Sequence, residues 1–230
     1  MRKAASVSVV IPTLNEAENI QRLLPLLLAL VPTPQIIVSD GGSSDGTLAT
    51  AQAFGAETIH GLRGRGPQLN AGGSRCTGDI IVFLHADSIL PQESYQGMLQ
   101  ALQDEPELAG GAFRFSLRGT PGFWARVYEF NVGLRSRLLH LPYGDQGFFL
   151  RRSVWERGHY FAAQPLMEDV EWWERLSRQK TMRILSWPLI TSARRFQQRG
   201  YLVSSLRNLW TLTRYKLGVS PVKLAKEYYK

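Results

Sequence analysis

The sequence predicts an α/β fold in which a mostly parallel central sheet is flanked by helices. Two observations support this prediction. Short apolar runs rich in β-branched residues alternate with amphipathic segments through the first half of the chain, which is typical of βαβ units. The runs are also apolar at consecutive positions, as expected for strands that are buried on both faces of a sheet.

The predicted elements of the first half follow one another regularly. Strands are predicted at 7–11, 35–39, 57–59 and 79–84. Helices are predicted at 16–30, from the end of the 41–44 turn through Phe54, and near 67–76. Ligands of parallel α/β sheets bind beyond the carboxyl ends of the strands. The residues directly after each strand are therefore the candidate functional residues.

The second half is less regular and ends in an amphipathic helix. Strands are predicted at 111–117 and 146–150, with two short extended segments near Ile184 and Leu189. Helices are predicted at 123–139, 168–178 and about 201–217. We find no internal repeat, and the second half is too irregular for us to expect it to fold alone.

Composition limits the class of protein. The chain has 230 residues, of which 44% are hydrophobic and 20% charged, so it is neither a disordered nor a collagen-like protein. The net charge of +8 is unevenly distributed: residues 1–110 carry 6 basic and 11 acidic side chains, and residues 111–230 carry 21 and 8. A basic second half attracts nucleic acid, diphosphates or an anionic membrane, and composition does not choose among them.

Sequence features predict a cytoplasmic protein. No stretch approaches the roughly 18–20 consecutive apolar residues of a spanning helix, and the start of the chain lacks the pattern of a signal peptide. The single cysteine, Cys76, has no partner for an internal disulfide, which suits a reducing compartment.

Two common nucleotide-binding motifs do not fit. The sequence has no G-x-x-x-x-G-K-[ST], which excludes a P-loop. The glycines of the 61–66 segment have the spacing G-x-x-G-x-G and follow the third predicted strand rather than the first, which disfavours a dinucleotide-binding fold.

Six sequence blocks together resemble the family 2 glycosyltransferases. They are VSVVIPTLNEAENI at 7–20, VSDGGSSDGT at 38–47, GRGPQLNAG at 64–72, IIVFLHAD at 80–87, PYGDQGFFLRRSVW at 142–155 and PLMEDVEWWERL at 165–176. Each block alone is weak evidence, and six in the same order are strong. The resemblance implies a GT-A fold and an enzyme that transfers a sugar from a nucleoside diphosphate, with UDP as the expected carrier.

By this resemblance, the nucleoside is held after the first two strands and along the 64–72 block. The corresponding residues are Pro12, Glu16, Asp40, Gly66, Gln68 and Asn70, and Ala86, after the fourth predicted strand, is a further nucleotide-binding candidate. A carboxylate such as that of Asp40 can accept the N3 proton of uracil or a ribose hydroxyl proton, and helix capping alone does not account for an acid at this position. Arg65 is either a phosphate contact or a solvated side chain.

The family's D-x-D element binds a divalent cation, and here the matching triplet is His85-Ala86-Asp87. Its second carboxylate is kept as Asp87, and the first is replaced by His85. Magnesium prefers oxygen ligands, whereas manganese accepts imidazole more readily, so the metal is Mn²⁺ or Mg²⁺. The alternative for His85 is a hydrogen-bonding residue at a strand end that never contacts metal.

The acidic pair Glu168-Asp169 matches the family's catalytic acids. The resemblance implies that Asp169 is the base that deprotonates the acceptor and that Glu168 helps to place it, as an inverting transfer requires. Two carboxylates at a helix start also favour the helix dipole, which is the structural alternative. We expect Asp40, Asp87 and Asp169 to face one cleft.

Three further sets of residues are candidates for substrate contacts. Asp145 and Gln146 are predicted to contact sugar hydroxyls, with a plain turn as the alternative. Gly111 is predicted to lie close either to the donor sugar or to a neighbouring strand. Arg194 and Arg195 are candidate diphosphate contacts.

The C-terminal segment is basic and amphipathic. Residues 192–230 carry nine Lys and Arg against one acid, Glu227. Its apolar helix face either packs on the core or lies at a membrane interface. With the aromatic residues Trp124, Tyr128 and Phe130 nearby in the expected acceptor half, we hypothesise a lipid or isoprenoid acceptor and peripheral attachment to the inner face of the cell membrane.

The sequence therefore predicts one domain, with a nucleotide-binding half at 1–110, an acceptor and catalytic half at 111–190 and a basic extension at 191–230. Its expected partners are a nucleotide-sugar donor and a small-molecule or lipid acceptor, and nucleic acid is not expected. Two alternatives remain. A nucleotidyltransferase is disfavoured because the loop at 13–16 is acidic and lacks glycine. The other is an inactive scaffold that binds membrane or nucleic acid through its basic half.

Overall fold

The computed structural model describes residues 5–61, 63–117, 122–192 and 200–229. Its strands are β1 (Val7–Thr13), β2 (Gln35–Asp40), β3 (Glu57–His60), β4 (Ile80–Phe83), β5 (Ser88–Ile89), β6 (Leu108–Leu117), β7 (Phe148–Arg151) and β8 (Thr181–Thr191). They form one sheet in the order β3-β2-β1-β4-β7-β6-β8-β5. One sheet therefore contains strands from both halves of the chain.

Strand direction divides the sheet into two regions. Strands β3, β2, β1 and β4 are parallel. Strand β7 is antiparallel to both β4 and β6, β6 and β8 are parallel, and β5 is antiparallel to β8. The predicted α/β fold with a mostly parallel sheet is confirmed, and the antiparallel pairs lie in the second region.

Helices cover both faces of the sheet. They are α1 (Ala17–Leu28), α2 (Thr47–Ala53), α3 (Arg65–Gly73), α4 (Gln92–Asp104), α5 (Phe123–Leu139), α6 (Arg152–Trp155), α7 (Glu168–Ser177), α8 (Tyr201–Lys216) and α9 (Pro221–Tyr228). A short 3₁₀ helix, Gly144–Gln146, precedes β7. No helix among these residues is long and apolar enough to cross a membrane.

Alternate residues of the central strands enter two hydrophobic clusters. Val9 of β1 and Val82 of β4 belong to one cluster, together with the buried leucines of α1 and residues of α4. Val10 and Ile81, their neighbours in the chain, belong to the other, together with the tryptophans of α7. Because successive side chains of a strand point to opposite faces, these strands must be apolar throughout.

The second half holds elements that the sequence pattern did not predict. The two extended segments near Ile184 and Leu189 are one strand, β8, whose pairing with β6 changes register between Ala112 and Arg114. Pro188 lies just beyond this irregularity, where the loss of one ladder hydrogen bond is tolerated. Helices α6 and α9 are also additions to the predicted elements of this half, and the two-residue strand β5 is an addition in the first half.

Candidate active site

Predicted site residues meet where β4 ends and β7 begins. The two strands are antiparallel, and Phe83 at the end of β4 pairs with Phe148 at the start of β7. This pairing places the 85–87 segment beside the Gly144–Gln146 turn. Thr191, the last residue of β8, donates a hydrogen bond from Oγ1 to the carbonyl of Asp145 at 2.9 Å and so joins a third strand to this turn.

A cavity of about 530 Å³ lies at this junction. The predicted site residues in its wall are His85, Asp87, Asp145 and Asp169, together with Arg65. Three carboxylates from distant parts of the chain therefore face one space. Buried charges of one sign need compensation, so an arrangement of this kind is suited to a cationic or polar ligand.

Asp169 is held by backbone groups on both sides. Its Oδ2 accepts a hydrogen bond from the Gly144 N–H at 2.8 Å, and its Oδ1 accepts one from the Val170 N–H at 2.8 Å. The residue before this acidic pair, Met167, has φ +63 and also lines the cavity. The start of α7 thereby presents the Asp169 carboxylate to the cavity in a defined orientation.

Gly144 separates Asp169 from His85. A Cβ atom added at Gly144 would lie 3.1 Å from His85 Nε2 and 3.3 Å from Asp169 Oδ2. Both side chains therefore flank the same point of backbone. A methyl group at this position would require the imidazole or the carboxylate to move by a few tenths of an ångström.

Glu168 is buried and paired with Arg65. The Arg65 Nη1 atom lies 3.0 Å from Glu168 Oε1, and the Glu168 side chain is 2% exposed. Burial raises the pKa of Glu168, and the Arg65 guanidinium opposes this shift. Burial alone would lower the pKa of Arg65, but the charges of Glu168 and Asp169 raise it instead. Glu168 thus holds Arg65 at the cavity wall, and the pair joins α3 to α7.

Asp145 carries an incompletely satisfied carboxylate. Its Oδ1 atom is buried and has no hydrogen-bond partner among the described residues. Burial raises the pKa of Asp145 to about 6; Arg135 opposes the shift, and the negative charges of Asp169 and Asp87 add to it. Such a group favours a cation or a hydrogen-bond donor entering the cavity.

Gln146 lies behind the turn and does not line the cavity. Its Oε1 accepts hydrogen bonds from Ser136 Oγ at 3.0 Å and from Arg135 at 3.3 Å, and its Nε2 donates to the Phe113 carbonyl at 2.9 Å. The side chain is 1% exposed. The expectation that Gln146 contacts sugar hydroxyls does not match this placement, because its amide is bonded to α5 and β6 and holds the turn against them.

Asp40 is enclosed by its own loop. Its carboxylate accepts hydrogen bonds from Thr13 Oγ1, from the Gly42 and Ser43 N–H groups and from Ser43 Oγ. These bonds lower the pKa of Asp40 against the opposing effect of burial, which is the largest single contribution. An acid here therefore stabilises the turn after β2, a role that differs from helix capping.

The placement of Asp40 also corrects the expected convergence of three carboxylates. Asp87 and Asp169 line the cavity, whereas Asp40 does not and is 1% exposed. A nucleoside can reach its carboxylate only by displacing one of the four donors that occupy it. Asp40 lies at the carboxyl edge of the sheet, in the position that the sequence predicts, and its carboxylate supports the loop that follows β2.

The two amides of the 64–72 block also have backbone partners. Gln68 Nε2 donates to the Thr13 carbonyl at 2.7 Å and the Ser39 carbonyl at 2.8 Å. Asn70 exchanges two hydrogen bonds of 2.9 Å with the backbone of Phe161. These side chains fix the ends of β1 and β2 and anchor the 161–162 loop on α3.

Close backbone approaches account for two predicted glycines. A Cβ at Gly66 would collide with the Ala162 carbonyl oxygen. A Cβ at Gly111 would collide with the Arg183 carbonyl oxygen of β8 and with the Phe149 ring of β7. Of the two alternatives for Gly111, the structure places a neighbouring strand beside it.

The remaining predicted residues occupy varied places. Pro12 and Glu16 are half-buried beside the loop after β1, and Glu16 Oε2 accepts a hydrogen bond from Asn19 Nδ2 at 2.5 Å. Ala86 is buried between the two cavity residues of its triplet. The candidate diphosphate contacts Arg194 and Arg195 lie outside the described residues.

The sequence model described as "Glycosyl transferase family 2" matches residues 8–162, which is more than half of the chain. The chain belongs to glycosyl transferase family 2. This confirms the predicted resemblance, and the match contains five of the six sequence blocks completely or nearly so. The family 2 chain continues beyond the matched region through α7, α8 and α9.

Curated relatives of this family 2 chain include transferases with different acceptors. It is 27% identical over 219 residues, or 90% of its own length, to undecaprenyl-phosphate 4-deoxy-4-formamido-L-arabinose transferase of Sodalis glossinidius. It is 36% identical over 103 residues, 39% of its length, to glucosyl-3-phosphoglycerate synthase of Mycolicibacterium smegmatis. It spans 66% of the first relative and 33% of the second.

Solved structures of glycosyltransferases share the fold. The mannosyltransferase PcManGT of Pyrobaculum calidifontis, in complex with GDP-Man and Mn²⁺, superposes with a TM-score of 0.69 over 98% of this chain and 65% of its own, at 18% identity. S. aureus TarS in complex with UDP-GlcNAc superposes with a TM-score of 0.64, over 81% and 58%, at 17% identity. The predicted GT-A fold is confirmed.

The donor set at the cavity fits a divalent cation that also binds a substrate. Within the described ranges, no three His, Cys, Asp or Glu side chains are grouped so as to hold a metal ion alone. Magnesium and related cations are commonly bound by one or two carboxylates together with substrate phosphates and waters. Asp87 and Asp145, whose Oδ1 has no hydrogen-bond partner in the described part of the chain, are carboxylate donors of the required kind.

Sequence reasoning missed the part of the cavity wall that the C-terminal helices supply. These residues are Val203, Ser204, Arg207 and Asn208 of α8 and Tyr228 and Tyr229 at the end of α9. The Arg207 guanidinium lies 3.9 Å from the centre of the Tyr228 ring, and Tyr228 Oη donates to Asn208 Oδ1 at 3.2 Å. No spacing signal in the sequence links α9 to the cavity, because the contact arises from the packing of α9 on α8.

Proposed function

We propose that this chain transfers a sugar from a nucleoside diphosphate, with UDP as the expected carrier, to an acceptor hydroxyl or carboxyl group with inversion of configuration. The observation that carries the proposal is the placement of Asp87 and Asp169 in the wall of one cavity at the end of β4. Family membership and the fold support the reaction class. The relatives named above differ in acceptor and in nucleotide, so the choice of substrates is part of the proposal.

The donor is proposed to bind across the carboxyl edge of β1, β2 and β4. Pro12, Glu16 and Ala86, which match the family's nucleoside-binding positions, are proposed to contact its nucleoside, and Asp40 supports the loop beneath it through its bonds to Gly42 and Ser43. Gln68 and Asn70 act behind this surface by holding backbone segments. The 1–110 half would thus bind the nucleotide and the 111–190 half would supply catalysis.

Asp169 is proposed to remove the acceptor proton as the acceptor attacks the sugar. Its hydrogen bonds from the Gly144 and Val170 N–H groups orient the carboxylate without consuming all of its acceptor positions. A base that is oriented beforehand contributes typically 10²- to 10⁴-fold to a rate. Glu168 assists by holding Arg65 at the cavity wall rather than by contacting the acceptor.

Asp87 and Asp145, with His85 beside them, are proposed to hold a divalent cation, Mn²⁺ or Mg²⁺, at the donor diphosphate. When bound, such a cation offsets the negative charge that develops on the leaving diphosphate. Arg65 adds a fixed positive charge to the same wall. In this proposal, two parts of the cavity have different roles. The residues near Asp87 stabilise the negative charge of the leaving diphosphate, and Asp169 accepts the proton of the acceptor.

A donor screen tests this proposal. The chain is incubated with a panel of UDP-, GDP-, ADP- and TDP-sugars, and release of nucleoside diphosphate is measured with MnCl₂, with MgCl₂ and with EDTA. Release from one donor class that depends on the cation, and that Asp87→Asn abolishes, is the expected result. Absence of release from every donor, with tight salt-sensitive binding of nucleic acid instead, would support the inactive basic scaffold.

A further inference from the structure

Helices α5 and α8 pack against each other, and each leaves large apolar side chains exposed. They are joined by contacts such as that between the Tyr128 and Tyr201 rings, whose centroids lie 6.0 Å apart. On α5 the exposed apolar residues are Phe123, Phe130, Leu134, Leu138 and Leu139. On α8 and directly after it they are Val203, Leu206, Leu209, Trp210 and Leu217. We call these ten residues the apolar face.

The apolar face is not needed to attach the helices to the fold. On α5, Tyr128 and Val132 are buried in a cluster with Phe115 and Leu117 of β6. On α8, Leu212 is buried in the cluster that contains the α7 tryptophans. Isolated exposed apolar residues are common, but ten on two packed helices, exposed between 44% and 78%, mark a surface that contacts something else.

Charge on the same helices indicates what that partner is. Helix α5 carries three arginines and one glutamate, and residues 200–229 carry five basic residues and one acid. Arg126 is exposed and lies three residues after Phe123 and four before Phe130, on the same side of the helix. Lys223 and Lys226 of α9, which packs on α8, are exposed as well.

A basic apolar surface is poorly suited to a second copy of itself. A two-fold dimer through this face would bring like charges together, which is unfavourable. An anionic lipid surface complements both features, since each nearby basic residue is attracted to it and the apolar side chains enter the boundary between headgroups and acyl chains. We propose that the apolar face docks on the surface of an anionic membrane.

Docking in this way would bring the cavity to the lipid surface. Val203 belongs to the apolar face, being 60% exposed, and also lines the cavity. Arg207 and Asn208, one turn further along α8, line the cavity too. If the proposed transfer reaction is correct, on which this step rests, the acceptor is one that the membrane delivers, such as a lipid-linked alcohol.

Vesicle binding of the intact chain tests the proposal. Binding is measured by flotation with vesicles of neutral phosphatidylcholine alone and with about one third phosphatidylglycerol, at low and high salt. The test variants are Leu206→Ser/Trp210→Ser and Phe130→Ser/Leu138→Ser. The matched control is Leu26→Ser/Leu28→Ser, because these leucines are 44% and 39% exposed on another helix, α1, outside the apolar face.

We expect the wild type and the control to bind the anionic vesicles equally. Each test variant should lose at least about tenfold in partition coefficient, because two large apolar side chains no longer enter the lipid. In Lys223→Gln/Lys226→Gln, the partition coefficient onto anionic vesicles should fall about fivefold for each removed charge. High salt should lower the partition coefficient of the wild type by a similar factor. Circular dichroism and thermal unfolding of every variant check that the fold is retained.

Two results would overturn the proposal. One is failure of the wild type to bind anionic vesicles, or equal binding by the test variants. The other is a wild-type dimer in sedimentation velocity that the same variants convert to monomer, which would assign the face to a second copy. UDP binding and donor cleavage are measured in solution on the same variants, so a failure of membrane docking is distinguished from a failure of the transferase proposal.

Discussion

The Asp169 carboxylate accepts a hydrogen bond from the backbone N–H of Gly144 at 2.8 Å. This contact joins the start of α7 to the turn that carries Asp145, although the two residues are 25 positions apart in the chain. The same turn lies beside the 85–87 segment through the pairing of β4 with β7. The candidate base and the candidate cation ligands therefore share one support, so a change at the turn should affect both.

Replacing the candidate base should separate catalysis from binding. We expect Asp169→Asn to lower the transfer rate by at least about 100-fold, because the amide cannot accept the acceptor proton. UDP affinity, measured by calorimetry, should change little. Glu171→Gln is the control, since Glu171 lies on the same helix but pairs with Arg175. Equal losses of rate and of UDP affinity in Asp169→Asn would contradict the assignment.

A side chain at Gly144 should disturb both His85 and Asp169. The added methyl group of Gly144→Ala would press on His85 and Asp169 at 3.1 and 3.3 Å, and displacement of these groups should lower kcat/KM by about 10- to 100-fold. Gly133→Ala is the matched control, because a Cβ there meets no atom of the described residues within 4 Å. In mid-helix it should raise the free energy of unfolding by about 0.5–1 kcal/mol. Steady-state kinetics and urea unfolding of both variants measure kcat/KM and stability. Full activity of Gly144→Ala would contradict the claim that the turn at Gly144 positions both His85 and Asp169.

Asp145→Asn should make the protein more stable and less active. The pKa of Asp145 is raised to about 6 from 3.8 in the folded state, so its protonated form stabilises the fold below pH 3.8 and this contribution is lost as the pH rises through about 6. At pH 7.5 the ionised group costs stability, and its removal should gain about 1–3 kcal/mol. Asp104→Asn, at an exposed helix end, should change stability by less than about 0.5 kcal/mol. Thermal unfolding of Asp145→Asn and the wild type at several pH values measures this difference. If Asp145→Asn is less stable than the wild type at pH 7.5, neighbouring positive charge compensates the ionised carboxylate and the prediction is wrong.

Removal of Arg65 should leave Glu168 buried and unpaired. We expect Arg65→Met to cost about 1–3 kcal/mol at neutral pH, less than for a fully buried pair because the Arg65 side chain is 35% exposed. Without the guanidinium, the pKa of Glu168 rises further above its ordinary 4.5. The folded state then holds its proton more tightly, so the deficit should be smallest near pH 4.5 and grow as the pH rises.

Urea unfolding at pH 4.5 and 7.5 measures this effect. The double variant Arg65→Met/Glu168→Gln should recover most of the lost stability, since a neutral amide replaces the unpaired charge. A deficit in Arg65→Met that is the same at both pH values, with no recovery in the double variant, would mean that packing rather than charge couples α3 to α7.

Local sequence patterns predict the first half of the fold well. Strands β1, β2 and β4 are continuous apolar runs, and both of their faces are covered, so their hydrophobicity and their burial agree. Strand β8 is different, since it includes Pro188 and changes register against β6. In the sequence, a proline and a bulge resemble the end of a strand. Only the pairing with β6 on both sides of the irregularity shows that β8 is one continuous strand.

The residues of the candidate site also fall into two groups, those whose role the sequence predicts and those whose role only the structure shows. Asp87 and Asp169, which line the cavity, could be predicted because each stands in a motif block that requires a carboxylate, and the blocks follow one another in a characteristic order. Gln68, Asn70 and Gln146 stand in the same motifs, but their amides hold backbone groups. A motif records which residue is required and not whether it contacts a ligand or another part of the chain.

The sequence by itself determined the α/β class, because strand hydrophobicity is a local property, and the resemblance of its motif blocks indicated the family and the carboxylates Asp87 and Asp169 that line the cavity. Only the tertiary structure decided that Asp40 is enclosed by its loop, that Glu168 pairs with Arg65, and that α8 and α9 complete the cavity wall. Enclosure and pairing depend on which distant segments fold together. Those contacts are set by the packing of the whole chain, which no local pattern of residues encodes.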